Sequence, residues 1–86
     1  MKNKQTYDTA VAMHQEQVEH YATLGLPPGN ECVRPIIQKH MSRRALPENI
    51  FVSFLRELYE LEAAGTINSL DVLFWKYVCI QELHGR

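Results

Sequence analysis

The sequence predicts an all-α fold, a small bundle of about four helices whose last member is apolar on two faces. Apolar residues recur at helical spacing in four segments. The four glycines and four prolines are few and clustered, so they punctuate those segments instead of loosening the chain. A 45% hydrophobic content is that of a folding chain.

The first helix is expected from about Tyr7 to Leu24, after a disordered tail over residues 1–6. Tyr7, Val11, His14, Val18 and Tyr21 step by four and three along one face. Asp8 suits the first turn, where the helix dipole favours negative charge, and Gly25 opens the stop formed with Leu26-Pro27-Pro28-Gly29. That rigid loop sets the first helix apart as a separate arm.

Asn30 is a cap for the second helix, whose stripe is Val33, Ile36, Ile37, His40 and Met41. Pro35 leaves its start open: either the helix begins near Glu31 and bends at the proline, or it begins at Pro35 itself. Pro47 fits the first position of the third helix, which carries Ile50, Phe51, Phe54, Leu55, Leu58 and Leu61 and ends at Gly65. The last helix follows Asn68, with Asp71 three residues on in a capping-box arrangement, and runs to about Leu83.

On a helical wheel Leu70, Leu73, Phe74, Tyr77, Val78 and Ile80 share one broad face of this last helix, and Val72, Trp75, Cys79 and Leu83 lie largely opposite. The expected core takes the first face: Ile36, Ile37, Phe51, Phe54, Leu55, Leu58, Leu70, Leu73, Phe74 and Tyr77. A four-helix domain of 86 residues rarely surrounds one helix completely. The second face, Val72, Trp75, Cys79 and Leu83, is therefore the expected protein interface, for another protein or a second copy of the chain. The competing reading makes this helix the bundle's central element, with the first helix covering Trp75.

Charge is segmental. Residues 30–46 carry a net +3 and residues 47–64 a net −3, within a chain of formal charge −1. Arg34, Lys39, Arg43 and Arg44 could meet phosphates in a dimeric nucleic-acid-binding regulator, which is the alternative function. Against it, the third helix that a helix-turn-helix would need is acidic and strongly apolar.

Other chemistries find little footing. No two of His14, His20, His40, His84, Cys32 and Cys79 stand at a metal-binding spacing, so no metal or other cofactor is expected, and His14 and His40 read as core or boundary histidines. Cys32 and Cys79 read as reduced, buried thiols, without a recognisable base or oxyanion loop, and no catalytic residue is assigned. Glu57 and Glu60 read as a solvated polar face. Asn68-Ser69-Leu70-Asp71 resembles the Asp-Ser-Leu segment of acyl carrier proteins over a tripeptide alone. In that family the serine carries phosphopantetheine near the middle of an acidic domain, whereas Ser69 opens the last helix of a nearly neutral one, so Asn68 and Ser69 read as caps.

With no apolar stretch long enough to cross a membrane and no apolar run near Met1, the chain is expected to be cytoplasmic. The expectation for function is a non-enzymatic interaction module, a small regulator, adaptor or inhibitor that presents a helical surface.

Overall fold

A computed structural model of the chain describes residues 2–24 and 29–84, with side chains from 3–16 and 29–84. Among the described residues the elements are α1 (Lys2–Leu24), a short 3-10 turn (Glu31–Val33), α2 (Arg34–Met41), α3 (Pro47–Ala63) and α4 (Ser69–His84). The all-α bundle is as the sequence predicts. The expected Gly25 to Pro28 stop and the Val18 and Tyr21 side chains lie outside the described residues.

Two expectations at the N-terminus change. Helix α1 begins at Lys2, so residues 2–6 are helical and Asp8 lies beyond the first turn. Nor is α1 a separate arm: Tyr7 meets Phe51 of α3 edge-on at 5.6 Å, and Ala10 and Val11 pack on the core. The radius of gyration is 12.5 Å. A compact chain of this length has one of about 12 Å.

Pro35 takes neither position exactly as drawn from the sequence. Asn30 accepts a hydrogen bond from the Cys32 N–H at 3.0 Å, and the 3-10 turn it caps hands over to α2, so the proline occupies the second position of α2. There a missing N–H costs nothing, because first-turn donors have no partner inside the helix.

Helix α3 is the central element. Ile50, Phe51, Phe54 and Leu58 are buried along one stripe, as their spacing predicts. Its end is a Schellman motif: Thr66 N–H donates to the Leu61 carbonyl and Gly65 N–H to Glu62, both at 3.0 Å. Gly65 has a φ of 77°, a conformation in which a side chain is strained, which is why glycine stands there.

Helix α4 opens on the predicted capping box. Asp71 N–H donates to Asn68 Oδ1 at 2.8 Å, and Asn68 N–H returns a bond to Asp71 Oδ2 at 3.1 Å. The same Asp71 carboxylate accepts from Asn30 N–H at 3.0 Å, which ties the segment before α2 to the start of α4.

The face of α4 turned inward is the opposite of the one expected. Val72, Trp75, Cys79 and Leu83 are in the core, with Trp75 and Cys79 fully buried, while of the expected face only Ile80 is buried, Leu70 is exposed and Leu73, Phe74, Tyr77 and Val78 are half-buried. With apolar residues on both sides, hydropathy alone does not set the rotation of this helix. Specific contacts do. Trp75 Nε1–H donates to the Asn30 carbonyl at 3.0 Å, and Gly29 lies so close that a Cβ there would stand 2.5 Å from Phe74 Cδ1 and 2.6 Å from Trp75 Nε1. Burying the indole is worth about 4–6 kcal/mol of transfer free energy as an upper figure.

Candidate functional site

Helices α1, α3 and α4 meet along a groove of 310 Å³. The sequence builds its walls by simple periodicity. From α1 come Thr6, Thr9, Ala10, Met13 and His14, which share one face at steps of three and four. Phe51, Leu55 and Tyr59, each four residues apart, form the α3 wall, and Lys76, Tyr77 and Ile80 the α4 wall.

The floor is core and the rim is open. Phe51 is fully buried and Ile80 nearly so, whereas Met13 is 52% exposed and Tyr59 47%. Met13 and Tyr59 thus border a mostly apolar groove while remaining open to solvent.

Besides the hydroxyls of Thr6, Thr9, Tyr59 and Tyr77, two nitrogen-bearing side chains stand in these walls, His14 and Lys76. His14 is buried, its ring is tilted on that of Tyr77 at 4.8 Å, and its Nδ1 has no hydrogen-bond partner. Burial holds its pKa below the ordinary 6.5, and the nearby His84 lowers it further, so the imidazole is neutral at neutral pH. Lys76 supplies the one formal charge of the groove.

The residues expected to form an interface, Val72, Trp75, Cys79 and Leu83, are brought together, but inside the molecule. As side chains of the monomer core they present no surface for docking, which corrects their expected place. The reading that made α4 an internal element fits: Trp75 is buried, with the Gly29-Asn30 segment and Arg34 among its neighbours, the guanidinium carbon 5.3 Å from the ring centroid, while the α1 side chains beyond residue 16 lie outside the described residues. Cys79 is an inert thiol, pushed up to about 12 by burial and then by Glu82. Cys32 is exposed, contrary to expectation.

The basic segment is dispersed in its interactions. Arg34 Nε donates to Glu31 Oε2 at 2.7 Å, and Lys39 Nζ to Glu57 Oε1 at 2.7 Å. Arg43 and Arg44 are exposed in the α2–α3 connection. Two of the four cations are therefore already matched by carboxylates.

Glu57 is not the solvated side chain its sequence position suggests. Its Oε2 lies 3.0 Å from Nε2 of buried His40, whose ring packs edge-on against Phe54 at 5.9 Å. A carboxylate only accepts, so Nε2 carries the proton and donates, leaving Nδ1 buried without a partner. The hydrogen bond from Lys39, and then that from His40, holds the Glu57 carboxyl below its ordinary range. This cluster ties α2 to α3 through Lys39, His40 and Glu57.

Among the described residues no group of three His, Cys, Asp or Glu side chains is placed to hold a metal ion. No helix among them is long and apolar enough to cross a membrane. Comparisons with family models, with curated proteins and with solved structures find no match, so a functional reading rests on the geometry of the chain itself.

Proposed function

We propose that the protein is a non-enzymatic interaction module, a small regulator, adaptor or inhibitor, and that its binding surface is the groove between α1, α3 and α4. One observation carries the reading: a mostly apolar groove of 310 Å³ between three helices, whose rim residues Met13 and Tyr59 stay half exposed. An apolar helical segment laid in such a groove buries anchor side chains spaced one turn apart. The occupant is a polypeptide, either another protein or a second copy of this chain. A reducing, cytoplasmic setting suits the two free thiols.

The nucleic-acid alternative has weaker support, because Arg34 and Lys39 each have a carboxylate partner and only Arg43 and Arg44 remain to face phosphates. Photo-crosslinking tests both readings in the cells that make the protein. A benzophenone side chain at position 59 should yield a covalent adduct with a polypeptide, and one at position 44 should not. Adducts from position 44 alone, above all with nucleic acid, would overturn the groove reading.

A further inference from the structure

Within the proposed function, we infer that the groove recognises a segment that is acidic as well as apolar, its carboxylate set against Lys76. The inference rests on the reading of the groove as a protein-binding surface and adds the chemistry of the partner.

Of the groove's wall residues, Lys76 alone carries a formal charge, since His14 is kept neutral at neutral pH. Arg34 pairs with Glu31 and Lys39 with Glu57, and exposed Arg43 and Arg44 lie in the α2–α3 connection, away from the groove's lining. Among the described residues Lys76 makes no ion pair with a carboxylate. An apolar wall lowers the local dielectric and strengthens an ion pair formed against it. A cationic segment would bring like charge to the only charge there, so the groove discriminates by sign as well as by shape.

The test uses phenylbutyrate and phenylbutanol as fragments of such a segment, an aromatic anchor with and without a carboxylate. Amide NMR shifts of the full chain are followed during titration with each, for wild type and for Lys76→Met, which keeps the aliphatic packing of the stem. The expected result is weak, millimolar binding of both, with shifts around residues 6–14, 51–59 and 76–80. The acid should bind about two- to five-fold more tightly than the alcohol, and Lys76→Met should remove that preference. Equal binding of acid and alcohol by the wild type would overturn the acidic partner and leave the groove reading standing. Absence of shifts around the groove with either probe would overturn both. Saturation by the free acid at micromolar concentration would overturn the polypeptide source in favour of a small carboxylate ligand. Thermal unfolding of Lys76→Met at the wild-type temperature secures that a lost preference reflects lost charge.

Discussion

The indole N–H of Trp75 donates to the main-chain carbonyl of Asn30 at 3.0 Å, across 45 residues of sequence. Asp71, one turn earlier on α4, receives the Asn30 N–H, so a single residue before α2 is held through both of its main-chain polar groups. This pair of bonds sets the rotation of α4, and thereby decides which apolar residues are core and which line the groove.

Trp75→Phe should destabilise the protein by about 1–3 kcal/mol, through loss of the indole hydrogen bond and of volume, although the Asn30 carbonyl still accepts from Val33 N–H, and Trp75→Ala by about 3–5 kcal/mol. Denaturant unfolding measures both. Gly29→Ala should also destabilise, by about 1–3 kcal/mol, because its Cβ would press on Phe74 and Trp75.

The Asn68–Asp71 box predicts a separate loss. Asp71→Ala removes the bonds to both Asn68 N–H and Asn30 N–H and should cost about 1–2 kcal/mol. Asp71→Asn, which keeps an acceptor, should recover part of this in the same unfolding experiment.

Acid should weaken the fold in two steps. The His14 pKa is lowered in the folded state, so the unfolded chain takes up a proton first, and stability falls as pH drops below the ordinary value of 6.5 toward the folded value. His14→Phe should flatten that step. Glu57 is likewise lowered in the folded state, and its contribution is present above the ordinary carboxyl value of 4.5 and lost as pH falls through the folded value. Glu57→Gln should reduce this second step, which unfolding curves recorded across the acid range will separate from the first.

Groove-rim changes should divide association from stability. Met13→Asp alters a half-exposed side chain and should shift unfolding by no more than about 0.5–1 kcal/mol, while reducing crosslinking from position 59 severalfold or more. Trp75→Ala should do the reverse, with its principal effect on stability.

Much of this fold is legible in the sequence. Pro47, Gly65 and the Asn68–Asp71 spacing mark helix ends through local rules, and the α3 stripe from Ile50 to Leu58 has polar residues opposite that leave one way to pack. The rotation of α4 was not legible, because Val72, Trp75 and Cys79 are matched by Leu73, Phe74 and Tyr77 across the helix. What chooses between them is a distant glycine and an asparagine carbonyl, neither of which leaves a periodic trace. The groove was hidden because α1 was expected to stand apart, and five of its eleven lining residues come from that helix. Tyr59 and Met13 look like unremarkable members of amphipathic helices until their helices are placed side by side.

The most direct test of the groove as the binding surface is hydrogen exchange of the isolated complex against the free chain. The account predicts that added protection concentrates in residues 6–14, 51–59 and 76–80. Protection centred on residues 34–44, with these three segments unchanged, would contradict it.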